Sequence, residues 1–393
     1  MRLLVARQSF AVTGGTLSRL VVFLLALSIG CDHSVTPPVS RERLAWYVAG
    51  HAGSGIPTSD STTAYFSTSE HFIVAVDKAT GEVRWTARPN PEGTNVPPLA
   101  LVRAGDCLLV NDRDAWCLDA ATGSVKWRFP SPIGFRSGYR IPAVADGVVF
   151  TGSTSGHVFA IDLATGALRW QTQLGTETSV YSPVVRHGTV YVAFNRLPLP
   201  PALITGGLAA LDAATGAVRW TRDLPITLPQ VGSPTQEAVV AGPVIAATTT
   251  DGYVYAYDTA DGSPAWRGEP ASPSAGGPPS VQDHRVLGSN HSRVFVGSTA
   301  QGSVTALDAA TGAVVWTARV GADSPFTVRV FDTNVWVTTF SGRILSFAAA
   351  TGAQIDTFDF PMLLGRQEGF SGVATDDALI LLGGGSALYA FRR

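Results

Sequence analysis

The segment Val76-Asp-Lys-Ala-Thr-Gly-Glu-Val-Arg-Trp85 is the first copy of a repeat. It recurs at Leu118–Trp127, Ile161–Trp170, Leu211–Trp220, Tyr257–Trp266 and Leu307–Trp316, with a degraded seventh copy at Phe347–Asp356. The glycines of the seven copies are Gly81, Gly123, Gly166, Gly216, Gly262, Gly312 and Gly352, spaced 40 to 50 residues apart. A period of this length is typical of proteins built from one repeated supersecondary unit.

Each copy predicts a strand, a tight turn and a second strand. The residues before the aspartate alternate and are rich in β-branched and aromatic types, as in His157–Ile161. The aspartate side chain accepts hydrogen bonds from amides further along the turn, and the glycine supplies a positive φ. Upstream, Gly147–Gly152 predicts a hairpin partner and Ile141–Ala145 a short apolar strand. Four short antiparallel strands per repeat predict an all-β propeller blade.

Composition excludes several classes of protein. Hydrophobic residues make up 45% of the 393 residues and charged residues 15%, so the chain can bury enough apolar surface to fold. The formal charge of -2 lacks the basic excess that a nucleic-acid partner requires. We therefore expect a folded protein that does not bind nucleic acid.

The N-terminus reads as a targeting signal. Positively charged residues precede Leu20–Ile29, a ten-residue run without charge that is too short to span a bilayer. Ser28-Ile-Gly-Cys31 resembles the bacterial lipoprotein processing site, which implies lipidation of Cys31; the alternative is an ordinary signal peptide in which Cys31 is incidental. The predicted organisation is a signal peptide over 1–30, a tether over 31–43 and one propeller domain over 44–393. We expect the propeller in the cell envelope facing the periplasm, anchored to the outer or the inner membrane.

The repeat resembles the tryptophan-docking motif of the pyrroloquinoline-quinone (PQQ) type β-propellers. In that family each indole lies between neighbouring blades, stacks on the turn and hydrogen-bonds the adjacent main chain. The resemblance assigns this structural role to Trp85, Trp127, Trp170, Trp220, Trp266 and Trp316. No ligand-binding role is expected for them.

The two ends of the chain set the blade count. Gly372–Gly383 and Ala387–Phe391 supply inner strands of an eighth blade, and the chain stops before another tryptophan. Glu42–Ala49 reads as a lone outer strand that carries Trp46. Joining the two completes eight blades and leaves no open edge, as happens in the family. A ring of seven blades is the alternative.

The cysteines and histidines of the sequence indicate few reactive or metal-binding sites. Cys107 and Cys117 flank a turn near Asp112 and should face each other, or nearly so, across a hairpin. An oxidising envelope would allow a disulfide there; the alternative is two small buried apolar side chains. The chain lacks the haem-attachment motif Cys-x-x-Cys-His, and its histidines have no zinc-ligand spacing.

The signal peptide, the lipidation site, the short tether and the bare eight-bladed ring together resemble the BamB family, lipoproteins of the outer-membrane β-barrel assembly machinery. This resemblance implies a non-catalytic scaffold that docks by interblade loops onto the periplasmic repeats of the central barrel subunit. The position-matched segments are Leu224–Pro234 and Glu269–Asp283. The partner-binding candidates there are Ile226, Leu228, Gln230 and Asp283, with Gln230 where the family has an arginine. The alternative for Ile226 and Leu228 is packing onto their own propeller.

Two other functions remain as hypotheses. A generic envelope sensor or adhesion module is favoured by the insertion Asn195–Gly207, in which Leu197, Leu199, Leu203 and Ile204 can form an apolar partner site. The fold also resembles quinone-dependent dehydrogenases, which use a vicinal disulfide and calcium ligands. This chain has no adjacent cysteines and no assignable calcium set, so we expect no enzyme activity, no cofactor and no metal.

Overall fold

Eight four-stranded antiparallel sheets form a ring in the computed structural model. It describes residues 43–90, 100–112, 114–130, 141–196, 204–225, 238–249, 253–268, 285–299, 301–321, 324–360, 370–376 and 378–393. The predicted all-β, eight-bladed propeller is confirmed, and the seven-bladed alternative is wrong. The strands are numbered in chain order, and the blades likewise.

Blades 1 to 4 follow the first four repeats. Blade 1 contains β2 (Thr58–Ser59), β3 (Thr63–Ser67), β4 (Ile73–Asp77) and β5 (Val83–Ala87); blade 2 contains β6 (Leu101–Ala104), β7 (Cys107–Asn111), β8 (Ala115–Asp119) and β9 (Val125–Phe129). Blade 3 contains β10 (Ala143–Ala145), β11 (Val148–Gly152), β12 (His157–Asp162) and β13 (Leu168–Gln173). Blade 4 contains β14 (Thr178–Val180), β15 (Val184–Arg186), β16 (Thr189–Arg196), β17 (Thr205–Asp212) and β18 (Val218–Asp223). Its innermost strand is split, because β14 and β15 both pair with β16.

Blades 5 to 7 repeat the pattern, and blade 8 uses both ends of the chain. Blade 5 contains β19 (Val239–Ala241), β20 (Val244–Thr248), β21 (Val254–Asp258) and β22 (Pro264–Gly268); blade 6 contains β23 (Arg285–Ser289), β24 (Arg293–Ser298), β25 (Ser303–Asp308) and β26 (Val314–Arg319). Blade 7 contains β27 (Pro325–Phe331), β28 (Asn334–Thr339), β29 (Arg343–Ala348) and β30 (Gln354–Asp359). Blade 8 contains β31 (Phe370–Thr375), β32 (Leu379–Gly384), β33 (Ala387–Arg392) and β1 (Leu44–Ala49). β1 pairs antiparallel with β33, which is the predicted closure.

Antiparallel order gives the ring two different faces. In blades 1 to 7 the first and second strands, and the third and fourth, are joined on one side, which carries turns such as Asp77–Gly81; in blade 8 the first and second strands are joined there. We call this side the turn face. The opposite side carries the connections between second and third strands, and those between blades, and we call it the loop face. β1 begins on the turn face, as every fourth strand does.

The repeated aspartate organises each turn. Asp77 Oδ1 accepts hydrogen bonds from the amides of Ala79 (2.9 Å) and Thr80 (3.0 Å), as the sequence predicts. Its Oδ2 pairs with Arg84 at 2.6 Å, a contact that sequence analysis missed although arginine precedes the tryptophan in several copies. Asp162 and Asp212 do the same with Arg169 and Arg219. The arginine and the turn hydrogen bonds lower the pKa of Asp77, Asp162 and Asp212 to about 2.

Each tryptophan binds the turn of the following blade. The indole of Trp127 donates to the carbonyl oxygen of Leu163 at 2.8 Å and lies against Gly166, whose φ is +73°. A Cβ atom on Gly166 would lie 2.8 Å from the ring, so glycine is required for the close approach as well as for the turn. Six further indoles donate in the same way, at 2.8–3.3 Å: those of Trp46, Trp85, Trp170, Trp220, Trp266 and Trp316. Their acceptors are, in the same order, the carbonyl oxygens of Lys78, Ala120, Ala213, Thr259, Ala309 and Ala349.

The interface between blades 7 and 8 differs from the other seven. Blade 8 has no third-to-fourth-strand turn, because the chain ends occupy that place. The seventh copy has Ala348 and Asp356 where the other six copies have aspartate and tryptophan, and Ile355 where three of them have arginine. Asp356 instead forms an ion pair with Arg43. Aromatic side chains fill the interface, with the rings of Phe360 and Phe391 4.6 Å apart.

The hydrophobic core lies between the blades. Eight clusters of buried side chains each combine residues of two neighbouring blades, including the pairs 7–8 and 8–1. Burial of apolar area is the main favourable term in folding, so each blade is stabilised chiefly by packing against its neighbours. The ring therefore provides a stiff frame for the connections on its two faces.

We predict that Trp127→Ala lowers the free energy of unfolding by about 3–5 kcal/mol, because it leaves a cavity and an unpaired carbonyl oxygen. Equilibrium unfolding in urea measures the change. The matched control is Val125→Ala on the same strand, whose side chain is exposed; it should cost no more than about 0.5 kcal/mol. Equal losses in the two variants would contradict the docking role.

The turn aspartates predict a stability loss in acid. Their folded-state pKa of about 2 lies below the ordinary 3.8, so their ionised forms stabilise the fold above that value. This contribution is lost as the pH falls from about 4 through about 2. We expect the triple variant D77N/D162N/D212N to lose less stability than the wild type over that range, measured by urea unfolding. Parallel curves for the two proteins would contradict the prediction.

Candidate functional site

The predicted partner-binding residues depart from the loop face of blades 4 to 6. Leu197, Leu199, Ile226, Leu228, Gln230 and Asp283 lie outside the described residues, as does Cys31. The strand ends that flank them are described: Arg196 and Thr205, Asp223 and Val239, Gly268 and Arg285. Strand direction puts all six ends on the loop face of consecutive blades. The topology therefore brings together the exits of all three predicted segments.

An ion pair joins two of these exits. Arg196, the last residue of β16, pairs with Asp223, the last residue of β18, at 2.6 Å. The guanidinium carbon of Arg196 also lies over the ring of Phe194, 4.9 Å from the ring centre. Tyr257 of blade 5 donates a hydrogen bond to the carbonyl oxygen of Asp223 at 3.4 Å. The two exits are thus held to each other and to the next blade.

A second arginine lies at the exit of the third segment. Arg267, one residue before the end of β22, lies over the ring of Tyr253 at 4.5 Å. Arginine and tyrosine are enriched in protein interfaces because they combine apolar area with hydrogen-bonding groups. We call Phe194, Arg196, Asp223, Tyr253 and Arg267 the loop-root residues. Sequence analysis missed them, although an arginine at a strand end directly before a proline-rich segment was a usable signal.

The start of the Leu224–Pro234 segment belongs to the propeller. Leu224 is buried in the cluster between blades 4 and 5, and its amide donates to the carbonyl oxygen of Gly206 at 2.9 Å. Arg222 fixes the same strand by donating to the carbonyl oxygens of Asp261 and Gly262, both at 2.8 Å. The segment therefore departs from a rigid base. Ile204, near the end of the Asn195–Gly207 insertion, is 43% exposed.

The central channel contains a cavity of about 470 Å³. Its walls are mostly apolar, including Ile56, Leu101 and Phe331, with Arg329 and Asp376 as charged groups. Asp376 is engaged by Lys78 at 2.5 Å and accepts a hydrogen bond from Ser59 at 2.9 Å. Burial acts to raise the pKa of Asp376, but Lys78, the turn amides and Ser59 hold it below its ordinary value. This carboxylate stays ionised at neutral pH and closes the ring between blades 8 and 1.

In the described ranges the side chains that could bind a metal ion are not gathered into a cluster. Within these ranges, no group of three or more histidine, cysteine, aspartate or glutamate side chains is placed to hold a metal ion. No helix in the same ranges has the length and apolar character needed to cross a membrane.

The two cysteines of blade 2 lie diagonally across neighbouring strands. Cys117 is opposite Leu109 and Cys107 is opposite Asp119, so the two cysteines are offset by two residue positions and do not face each other directly. Their Cα atoms are 5.5 Å apart and their sulfur atoms lie within bonding distance. Both side chains are buried. The arrangement is compatible with the disulfide that the sequence suggests.

The chain is similar to known proteins over nearly its whole length. A family model described as "Outer membrane protein assembly factor BamB" matches residues 13–199, 204–359 and 282–391. A curated protein of that name from Bordetella pertussis (strain Tohama I) is 29% identical over 133 residues, which is 32% of this chain and 31% of that protein. The aligned part therefore spans about a third of the curated relative's length.

Solved structures share the fold. BamB from Moraxella catarrhalis superposes with a TM-score of 0.50 and 18% identity, covering 89% of this chain and 86% of that chain. A quinohemoprotein alcohol dehydrogenase from Comamonas testosteroni gives 0.62 and 15%, covering 89% and 76%. Identities this low carry the architecture alone, and a propeller hosts both scaffolds and enzymes.

We predict that Cys107 and Cys117 form a disulfide in the envelope-expressed protein. A cross-link of this loop length restricts the unfolded chain and is worth about 2–4 kcal/mol. Urea unfolding with and without a reducing agent should show a loss of that size in the wild type. The variant C107A/C117A is the control and should not respond to the reductant. A wild type that is equally indifferent would contradict the disulfide.

Proposed function

The chain belongs to the family of the outer membrane protein assembly factor BamB, and we propose on that premise that it is a non-catalytic scaffold in outer-membrane protein assembly. It binds partner proteins through the loop face of blades 4 to 6. The partners are subunits of the barrel-assembly complex. The protein resides in the cell envelope, held by a lipid on Cys31.

The observation that carries the proposal is the difference between the two faces. The turn face repeats one short, internally hydrogen-bonded turn, in which aspartate and arginine side chains bind each other. The loop face of blades 4 to 6 instead sends out three long connections from one side. Binding residues are commonly found on such loops when a rigid framework positions them. This asymmetry supports a docking surface on the loop face.

The loop-root residues support the same surface. They supply two arginine–aromatic contacts and one exposed ion pair at the bases of the connections. A partner that covers Arg196, Tyr253 and Arg267 gains apolar area and exchanges the water around the guanidinium groups for its own acceptors, while Phe194 is already buried beneath Arg196. Because Arg222 and Leu224 fix the base, little conformational entropy is lost there on binding.

The position of the first strand fits a tethered scaffold. β1 begins at the turn face, next to the Arg43–Asp356 ion pair. A tether that precedes Arg43 joins the propeller on the side opposite to the loop face. Attachment there leaves the proposed docking surface accessible.

A generic envelope sensor or adhesion module is the second candidate. The exposed Ile204 favours it, because this apolar side chain lies in the Asn195–Gly207 insertion, which an assembly scaffold does not require. We do not propose a dehydrogenase, since the likeness to such enzymes is one of fold.

We predict that I226S/L228S weakens recovery of the barrel-assembly subunits about tenfold in affinity purification from membranes under mild detergent. Loss of two apolar contacts at an interface commonly costs that much affinity. The control is Val83→Ser, an exposed residue of the turn face, which should leave recovery unchanged.

Other outcomes of the purification discriminate between the candidates. Recovery of different envelope proteins by the wild type would favour the sensor or adhesion module. Equal recovery by I226S/L228S and the wild type would exclude the proposed surface. A rise in melting temperature on adding PQQ and calcium would contradict the non-catalytic part, because a ligand that binds the native state alone stabilises it.

A further inference from the structure

Two phenylalanines form an exposed aromatic pair on the loop face of blade 7. Phe326 is 37% exposed and Phe340 is 63% exposed. Their ring centres are 5.1 Å apart with an interplanar angle of 65°, an edge-to-face contact. Phe326 lies near the start of β27, the innermost strand of its blade, so the pair stands at the rim of the central channel.

Local backbone structure turns both rings outward. The register of β27 against β28 shifts between Pro325 and Thr327, which places Phe326 in a bulge. Bulges of this kind redirect a side chain, often beside functional sites. Phe340 lies at the tip of the Thr339-Phe-Ser-Gly342 turn.

The turn itself does not require an aromatic residue. In blade 3 the corresponding turn is Ser153-Thr-Ser-Gly156, closed by the same hydrogen bond from the glycine amide to the carbonyl oxygen three residues earlier. Thr154 occupies the place of Phe340 there. The phenyl ring is therefore an addition to the common scaffold, at the cost of apolar surface in water.

The pair is held in place before any partner arrives. The amide of Phe340 donates to the carbonyl oxygen of Ser324 at 3.1 Å, which ties the turn to the start of β27. The Ser324 hydroxyl donates to the carbonyl oxygen of Thr299 in blade 6 at 2.8 Å. The amide of Arg343 donates to the Thr339 hydroxyl at 3.1 Å. A preformed apolar surface loses little entropy on binding.

The area of the pair selects a small occupant. The two exposed fractions sum to about one phenylalanine side chain, roughly 150–250 Å². A stable contact with a folded partner or a second copy buries about 800 Å² on each side. The pair is too small for that and suits one or two side chains of an extended segment. Alternate side chains of a strand are about 6.5–7 Å apart on one face, near enough for each to contact one of the two rings, whose centres are 5.1 Å apart.

We propose that Phe326 and Phe340 bind a short extended polypeptide segment with apolar side chains at alternate positions. The inference rests on the proposed function, and it names the client class: strands of an outer-membrane barrel before they insert. Such strands alternate apolar lipid-facing residues with polar residues and carry aromatic residues at both ends. Two apolar side chains at positions i and i+2 contact the two rings, while the intervening polar residue stays in water.

The test uses the purified full-length protein and a fluorescein-labelled ten-residue peptide that alternates leucine or tyrosine with serine or threonine. Fluorescence anisotropy measures binding. We expect F326S/F340S to bind about tenfold more weakly than the wild type, and Ile355→Ser to bind as the wild type does. Ile355 is a suitable control because it is 54% exposed on the same blade but belongs to the turn face.

A second peptide of the same composition, with its apolar residues in one block, tests the alternation and should bind at least about fivefold more weakly. Equal binding of both peptides, equal binding by F326S/F340S, or no binding by the wild type would overturn the proposal. The single variant F340S, at a turn tip, serves if the double variant does not fold. Recovery of assembly subunits from membranes should be unchanged in F326S/F340S, so that assay reports separately on the proposed function.

Discussion

The ring depends on one contact made seven times: an indole whose N–H binds a carbonyl oxygen of the next blade and whose face lies on a glycine of the same turn. The aspartate that shapes the turn presents that carbonyl, so turn geometry and blade packing are set by the same few residues. A side chain on the glycine would displace the indole, and loss of the indole would expose the carbonyl. This mutual requirement explains why aspartate, glycine and tryptophan recur together in the sequence.

The repeat made the fold predictable, and its absence limits the prediction of the site. Blade number, strand pairing and closure through Trp46 followed from residues whose local chemistry is the same in every copy. The Arg84–Asp77 pair was overlooked although it recurs too. The exposed Phe340 was not predictable, because its position depends on a bulge in another strand. Ile226 and Leu228 lie in a segment that does not recur in the other blades, so no repeated pattern predicts their environment.

The seventh copy shows what replaces the indole contact where the next blade lacks the turn that would accept it. Without a turn in blade 8, a tryptophan at position 356 would have no glycine or carbonyl to bind. Asp356 binds Arg43 there, and Phe358, Phe360 and Phe391 supply the buried area. The turn of the seventh copy still accepts the indole of Trp316 although Ala348 replaces its aspartate, so the change that goes with the missing turn of blade 8 is the loss of the tryptophan at position 356. The family match and the docking contacts between blades agree on the propeller fold.

The join between β1 and β33 also has a mechanical consequence. β1 has no covalent link to the rest of blade 8, since the chain that follows it enters blade 1; it is held by its hydrogen-bond ladder with β33 and by side-chain packing such as that of Tyr47 on Tyr389. A pulling force applied to the chain ahead of Arg43 reaches first the ion pair with Asp356 and then the ladder from Leu44 onward. Such a force loads those bonds one after another rather than all at once. The closure is thus the point at which tension would open the ring, while the seven other blades stay covalently continuous.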